Sequence, residues 1–384
     1  MRKALSIGMA SAYFASEKGG REYYALNLSN KLADLGYDMT VICGKPFLEK
    51  SEPLSKRFEL DYVPQLHFLR DLGRALEHRR VKGLGFLASQ FHHQQYKVQC
   101  HMHLLKNHEF DTINTHDQLS LIATVKVARR FKIPLVATIH FPPSPQDIRY
   151  LRQVSTAIAV NNEIRICLEK YGVRCLHVVP GGVDLALFKP ASKEESKRAL
   201  GIDGKLILFV GKLLPIKNLD NLLHAFKRVT SVIEGASLII VGEGPLKQDL
   251  VKTTQMLGLK NVKFLDTIAN SSLPGYYNAA DAFVLPSLYE SYTLVCLEAA
   301  ACAVPIVVSC GAKSFIKDFG EEALSIVNPR DCESISDGII KSLNNNDEIR
   351  EKTRTAFEKV KNHDWKEKAK EVAKINQQCL DERR

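Results

Sequence analysis

Glu290 and Glu298 lie on the segment Pro286-Ser-Leu-Tyr-Glu-Ser-Tyr-Thr-Leu-Val-Cys-Leu-Glu-Ala-Ala-Ala-Cys-Ala-Val-Pro305, and the second of them stands in an otherwise apolar stretch. Burying an ionised carboxylate costs several kcal/mol unless hydrogen bonds replace its hydration, so Glu298 requires partners. Asp281-Ala-Phe-Val-Leu-Pro286 reads as a short buried strand and Ser287 to Tyr292 as the loop after it. A helix should open near Tyr292 to Leu294 and stop before Pro305, because proline removes a donor and clashes with the preceding turn. A strand, a short loop and a helix N-terminus bring backbone N–H groups and the positive dipole end to one place, where an anion can bind. Glu290 would stand beside that anion and Glu298 two turns along the helix. An anion held between two carboxylates suggests a ligand carrying both phosphate and hydroxyl groups. The same spacing suits a carboxylate that merely stabilises a helix start, with a core glutamate paired to a distant lysine or arginine.

Other segments supply candidates for the rest of a site. Gly211-Lys-Leu-Leu-Pro-Ile-Lys217-Asn follows a strand, and its two lysines, Lys212 and Lys217, can both reach a diphosphate as point charges. A solvated loop would look the same. Ser16-Glu-Lys-Gly-Gly-Arg-Glu22 follows the first strand and opens a helix, a geometry that lets backbone amides approach an anion. Neither Gly19-Gly20 nor Gly242-Glu-Gly244 completes Gly-x-Gly-x-x-Gly, and no Gly-x-x-x-x-Gly-Lys-Ser/Thr loop occurs, which argues against a dehydrogenase and a P-loop hydrolase. His140 ends an apolar strand before Phe-Pro-Pro-Ser-Pro, where it could donate a hydrogen bond to a hydroxyl or phosphate. Eight of the twelve histidines fall within 67–116, with a spacing that matches no metal-ligand set.

These groups need elements to hold them. A chain of 384 residues, 45% hydrophobic and 25% charged, suggests a globular enzyme of two domains. No apolar run is long enough to cross a membrane, and the N-terminal apolar run is too short for a signal peptide, so a cytoplasmic protein is expected. Nine cysteines without a Cys-x-x-Cys pair favour reduced thiols, and Cys43, Cys296 and Cys302 read as core residues. Residues 1–190 carry a net charge of +9 and residues 191–384 a net charge of +1. The basic half implies an anionic partner or a solvated basic face. Nucleic acid is not expected, because the basic residues of 70–82 lack interleaved aromatics. A peripheral contact with an anionic membrane through 68–106 is expected instead, with Phe68, Leu69, Leu72, Leu84, Phe86 and Leu87 among basic residues; a core helix is the alternative.

Short β-branched runs alternate with helices throughout. Ala4–Ala10, Met39–Cys43, Thr112–Thr115, Leu135–Ile139, Ala157–Val160 and Leu176–Val179 read as strands, with helices at Gly20–Leu35 and Ser120–Phe131. After turn formers near Val179-Pro-Gly-Gly182 the plan repeats: Lys205–Val210, Ser237–Val241, Val262–Leu265, Ala282–Leu285, Ile306–Val308 and Ala323–Ile326, with helices at 219–233, 245–257 and 294–303. Such alternation implies two doubly wound parallel sheets with right-handed crossovers. Ligands in such sheets bind beyond the carboxyl ends of the strands, so a shared site in an interdomain cleft is expected.

Taken together, Gly19-Gly-Arg-Glu22, Thr138-Ile-His140, Val179-Pro-Gly-Gly-Val-Asp184 with Phe188-Lys-Pro190, Val210-Gly-Lys-Leu, Lys217, Val241-Gly-Glu-Gly-Pro245 and the segment from Glu290 to Pro305 resemble the retaining glycosyltransferases of family four. The resemblance implies an α/β chain of the GT-B fold, with two Rossmann-like domains facing across a deep cleft. Residues 1–179 would form the acceptor-side domain, with a C-terminal helix at about 365–384 packed back on it, and residues 180–364 the nucleotide-sugar domain. It implies a UDP- or GDP-sugar as donor substrate, no cofactor and no metal, and a hydroxyl of a glycan, lipid-linked or small-molecule acceptor. By the same resemblance Glu298 binds the ribose hydroxyls and Glu290 the donor sugar. The amides of Tyr292, Thr293 and Leu294, with Lys212 and Lys217, cradle the diphosphate. Gly20 approaches that diphosphate, His140 contacts the reacting sugar, and Ile268 lies near the base. His140, Glu290 and Lys217 are the expected catalytic residues. Lys212 stands where the family has arginine, which removes a bidentate grip; Gly181 replaces an asparagine and Ser291 a glycine. A GT-B sugar-nucleotide epimerase or an inactive nucleotide-sugar-binding protein would share most of these residues.

Overall fold

The computed structural model describes residues 4–12, 14, 19–44, 57–63, 84–106, 109–174 and 177–383, without the side chains of 84–92. Met1–Pro180 together with Trp365–Arg384 form one compact unit, and Gly181–Asp364 a second.

In the first unit seven strands run in parallel: β1 (Ser6–Ala10), β2 (Asp38–Gly44), β3 (Glu59–Val63), β4 (Thr112–Thr115), β5 (Leu135–Ile139), β6 (Thr156–Ala159) and β7 (His177–Val178). Their order is β3-β2-β1-β4-β5-β6-β7, so the chain reverses direction across the sheet between β1 and β4. The β1, β4, β5 and β6 cores are buried almost throughout, as a parallel sheet covered on both faces requires. The helices are α1 (Gly20–Asp34), α2 (Leu84–Lys106), α3 (Gln118–Phe131), α4 (Pro145–Leu151) and α5 (Asn162–Lys170). Asp117 caps α3 by accepting from the Ser120 amide at 2.9 Å, and its other oxygen accepts from the Ala12 amide at 2.8 Å. One side chain thereby joins the loops that leave β1 and β4.

The second unit has six parallel strands, β8 (Leu206–Val210), β9 (Ser237–Val241), β10 (Val262–Leu265), β11 (Ala282–Leu285), β12 (Ile306–Ser309) and β13 (Ser325–Val327), in the order β10-β9-β8-β11-β12-β13. Around them lie α6 (Lys193–Leu200), α7 (Leu219–Val232), α8 (Lys247–Met256), α9 (Leu273–Ala279), α10 (Leu294–Ala301), α11 (Lys313–Phe319), α12 (Cys332–Leu343) and α13 (Asp347–Val360). The final helix, α14 (Trp365–Asp381), returns to the first unit.

Strand β3 was not anticipated, because Glu-Leu-Asp-Tyr-Val mixes charges with apolar residues. Its place at the sheet edge explains that composition, since inward-directed or exposed charges blunt an open edge. Helix α2 occupies part of the segment read as a membrane contact. Tyr96, Cys100 and Leu104 on it are buried, whereas Val98 and Met102 are exposed between Gln94 and Lys106, so one helix has a core face and a mixed outer face with two apolar residues. Phe68, Leu69 and Leu72, and the side chains of Leu84, Phe86 and Leu87, lie outside the described residues.

Helix α14 is fastened to the first unit by aromatic and polar contacts. The Trp365 ring meets the Tyr24 ring of α1 edge to face at 5.0 Å, and both side chains are 2% exposed. Asn114 of β4 donates to Asn376 at 3.0 Å in a buried position, and Asn376 in turn donates to the Val372 carbonyl. Removing the indole leaves a cavity that rigid neighbours only partly fill. Trp365→Ala is therefore expected to destabilise the first unit by about 3–5 kcal/mol. Chemical denaturation followed by circular dichroism reads this out as an earlier transition, and an unchanged midpoint would mean that α14 is not anchored through Trp365.

Candidate functional site

Four loops of the second unit leave the carboxyl ends of the adjacent strands β10, β9, β8 and β11, and they carry Ile268, Lys212, Lys217, Glu290, Tyr292 and Thr293. The loop after β8 is held by its neighbour: the Gly211 amide donates to Val241 O at 2.9 Å and the Leu213 amide to Glu243 O at 2.8 Å. Gly242 has φ +140°, and a Cβ there would lie 2.0 Å from Gly211 O; one on Gly244 would lie 2.4 Å from Leu213 O. The Gly-Glu-Gly run is thus required for the close approach of two backbones, which accounts for a partial dinucleotide pattern without the third glycine. Lys212 sits in the loop so held. Ile268, after β10, is partly buried against the core of this unit, and the preceding Thr267 amide donates to Glu243 Oε1 at 3.3 Å.

Lys217 ends a short 3₁₀ turn, Pro215–Lys217. Asn218 follows in the left-handed region at φ 59° and donates to Pro286 O at 3.1 Å and to Pro329 O at 2.6 Å. The Leu288 amide donates to Ile216 O at 2.8 Å. These bonds seat the lysine loop against the glutamate loop, and Lys217 Nζ reaches Glu290 Oε1 at 2.5 Å. The Glu290 amide also donates to Gly311 O at 3.1 Å.

Helix α10 opens immediately beyond. Thr293 is its N-cap yet makes no side-chain cap bond; its hydroxyl meets the Cys296 thiol instead, and the Ser287 hydroxyl is buried with no partner among the described residues. The first turn of a helix leaves its N–H groups without intrahelical partners, so α10 offers donors and the positive dipole end beside Lys217. The Tyr292 hydroxyl donates to Asp318 at 3.0 Å and faces His363 Nδ1 at 3.2 Å. Gly181 packs here too: a Cβ on it would lie 2.2 Å from Leu294 Cδ2. Leu294 Cδ2 is the end of a flexible side chain that can shift, so the contact does not by itself require glycine.

Glu298 lies on α10, partly buried, and accepts from the Tyr277 hydroxyl at 2.7 Å. Its partner is a phenol rather than a lysine or arginine. Desolvation raises its carboxyl to about 7, a rise that the Tyr277 bond reduces but does not cancel. Sequence offered no sign of Tyr277, 21 positions earlier on α9. Asn218, by contrast, is a residue type that tolerates the left-handed region before a helix, a signal that was readable.

In the first unit His140 follows β5 and is buried. Its ring meets Tyr24 edge to face at 4.9 Å, and its Nε2 lies 3.3 Å from Nδ1 of His116, which follows β4. Burial and the Arg21 charge push His116 down to about 3, and burial, His116 and Arg21 hold His140 well below the usual histidine range. Both rings are neutral at physiological pH. Arg21, His116, Gln118, His140, Phe141 and Asp147 line a pocket of about 150 Å³. Gly20 is the first residue of α1, one turn before Tyr24, and a Cβ there would meet nothing within 4 Å among the described residues, so packing does not demand glycine.

Among the described residues no group of three or more His, Cys, Asp and Glu could hold a metal. His103 pairs with Asp61 at 2.5 Å and His101 with the Ala123 carbonyl at 3.0 Å, while His67, His78 and His108 lie outside the described residues. Cys43, Cys296 and Cys302 are buried, and burial raises all three thiols, Cys43 and Cys302 to about 12. No helix among the described residues is long and apolar enough to cross a membrane.

Residues 18–187 match the family described as Glycosyltransferase Family 4, and residues 192–370 match Glycosyl transferases group 1. The chain belongs to these glycosyltransferases. A D-inositol 3-phosphate glycosyltransferase of Frankia alni is 34% identical over 234 residues, which span 52% of the present chain and 57% of that relative, little more than half of either. Among solved structures, the sucrose-phosphate synthase of Thermosynechococcus elongatus superposes with a TM-score of 0.79 at 20% identity, covering 97% of this chain and 98% of the other. Anabaena HepE in complex with UDP-glucose gives 0.74 at 18% identity, covering 97% and 99%. The glycosyltransferase therefore has two Rossmann-like α/β domains of the GT-B kind.

The raised Glu298 carboxyl predicts a pH signature. Its folded value, about 7, exceeds the ordinary 4.5, so its contribution to stability is fully present below pH 4.5 and is lost as pH rises through 7. Glu298→Gln removes the charge that desolvation penalises. The variant should gain on the parent protein between pH 4.5 and 7, by on the order of 3 kcal/mol at the upper end. Parallel stability curves against pH for the two proteins would contradict the assignment.

Proposed function

We propose that this glycosyltransferase moves a hexosyl group from a nucleoside diphosphate sugar to an acceptor hydroxyl with retention of anomeric configuration and without a metal. The observation that supports this reading is the Lys217–Glu290 pair at the open end of α10 with Glu298 little more than one turn along the same helix. In this reading Glu298 accepts hydrogen bonds from the ribose hydroxyls, and Tyr277 keeps the carboxylate aimed. Ile268 lies near the base. Lys212, Lys217 and the amides of Tyr292, Thr293 and Leu294 hold the diphosphate, Gly20 gives it room, and Glu290 binds hydroxyls of the sugar. His140, kept neutral by burial, acts as a hydrogen-bond donor to that sugar rather than as a cation.

The anomeric C–O bond to the diphosphate breaks as the acceptor oxygen attacks from the same face, and a leaving phosphate oxygen takes the acceptor's proton. Two lysines and a helix N-terminus offset the charge that develops on the leaving group, and fixed donors in a poorly hydrated site do so without reorganising. UDP-glucose is the first donor to try, given its presence with HepE. UDP- and GDP-sugars both remain in the proposal.

For the acceptor we propose a hydroxyl of a glycan, a lipid-linked sugar or a small polyol, the last drawn from the D-inositol 3-phosphate in the name of the Frankia relative. Peripheral docking on an anionic membrane is proposed through the basic first half, where Val98 and Met102 of α2 are exposed. Vesicle flotation should depend on anionic lipid, and flotation independent of lipid charge would discard the docking.

Glu298→Ala should weaken donor binding by about 10- to 100-fold, the value of hydrogen bonds to a charged group. Lys217→Ala should lower kcat by about 10²–10³, in line with loss of one group that stabilises transition-state charge. Both proteins should keep the parent circular dichroism spectrum. Near-parent turnover in both variants would place the site elsewhere.

A further inference from the structure

His116 and His140 close neighbouring strands, β4 and β5, which pair at Thr115 and Ala137. The rings meet nitrogen to nitrogen, His116 Nδ1 to His140 Nε2, and both are buried. Two neutral imidazoles in this arrangement share one proton, so the donor on one ring dictates which nitrogen of the other is bare. If His140 were the donor, the proton of His116 would sit on its Nε2. That nitrogen is buried with no partner among the described residues. An orphaned buried N–H is the costlier fault, while an unused acceptor lone pair is better tolerated. The arrangement of lower energy has His116 Nδ1–H donating to His140 Nε2.

The surrounding rings keep this geometry. Tyr24 meets His140 edge to face with an interplanar angle of 84°, which opposes a flip of the imidazole. Tyr24 is itself fixed, its hydroxyl donating to Val179 O at 3.1 Å and its ring braced by Trp365. Resting on the reading of His140 as the residue that donates to the transferred sugar, we propose that His116 is a positioning residue which fixes the proton of His140 on Nδ1. That nitrogen is then the one His140 offers to a ligand as a donor. A histidine in the other tautomer would present a lone pair there, and the bond to a sugar hydroxyl would need the reverse polarity.

The test is a two-bond proton–nitrogen correlation spectrum of the ¹⁵N-histidine-labelled protein, with His140 assigned by its loss in His140→Gln. In the parent protein His140 should show the Nδ1-protonated pattern; the Nε2-protonated pattern overturns the proposal with no variant needed. His116→Asn places an amide N–H near the position of Nδ1 and should preserve the His140 pattern. His116→Leu should mix the two tautomers, and a pattern unmoved by leucine also overturns the proposal. Turnover separates this inference from the functional reading: a shifted tautomer with a fall of about tenfold in kcat, restored by asparagine, supports both. A shifted tautomer with unchanged kcat keeps the positioning role and removes His140 from sugar transfer.

Discussion

The ion pair between Lys217 and Glu290 joins two loops of the second unit at the open end of one helix, and the proposed chemistry depends on that junction. A lysine alone in a partly buried position would lose hydration without return, and so would the glutamate. Paired, each satisfies the other, and in the proposed function the lysine also faces negative charge and the glutamate hydroxyls. The pair is reinforced by backbone bonds from Leu288 to Ile216 and from Glu290 to Gly311, and by Asn218 reaching two proline carbonyls. These bonds fix the lysine loop against the loop that leads into α10.

The first unit solves a different problem, how to keep a histidine useful while burying it. Burial and the neighbouring Arg21 hold His140 neutral, which excludes a role as a permanent cation and leaves hydrogen bonding. Its surroundings are aromatic and polar in alternation: Tyr24 on one side, His116 on another, with Trp365 behind Tyr24. Trp365 belongs to a helix some 220 residues away in sequence, so the integrity of this corner depends on the return of α14.

Much of this was legible in the sequence, and the reasons differ by element. Buried parallel strands such as Thr112–Thr115, Ser237–Val241 and Ala282–Leu285 are short β-branched or apolar runs between turn formers, a pattern that fixes their ends. Strand β3 escaped because an edge strand carries charges. Glu290, Glu298 and Lys217 stood out because charged residues beside apolar runs demand an explanation. Tyr277, His116 and Tyr24 did not, because each acts through a contact between distant segments that spacing cannot encode. His116 came nearest to being readable, since it ends its strand as His140 ends the next. The partial Gly-Glu-Gly pattern shows the converse, a motif-like run whose glycines serve backbone approach to Gly211 and Leu213.

The central claim is transfer of a sugar, with its configuration kept, from a nucleoside diphosphate to a hydroxyl. The most direct measurement follows nucleoside diphosphate release and glycoside formation in one reaction, by mass spectrometry and proton NMR, with UDP- and GDP-sugars and a panel of polyol and lipid-linked acceptors. The account predicts the two products in equal amounts, with the anomeric coupling of the glycoside matching that of the donor. A glycoside of inverted configuration, or a consumed donor that yields epimerised sugar and no glycoside, would contradict it.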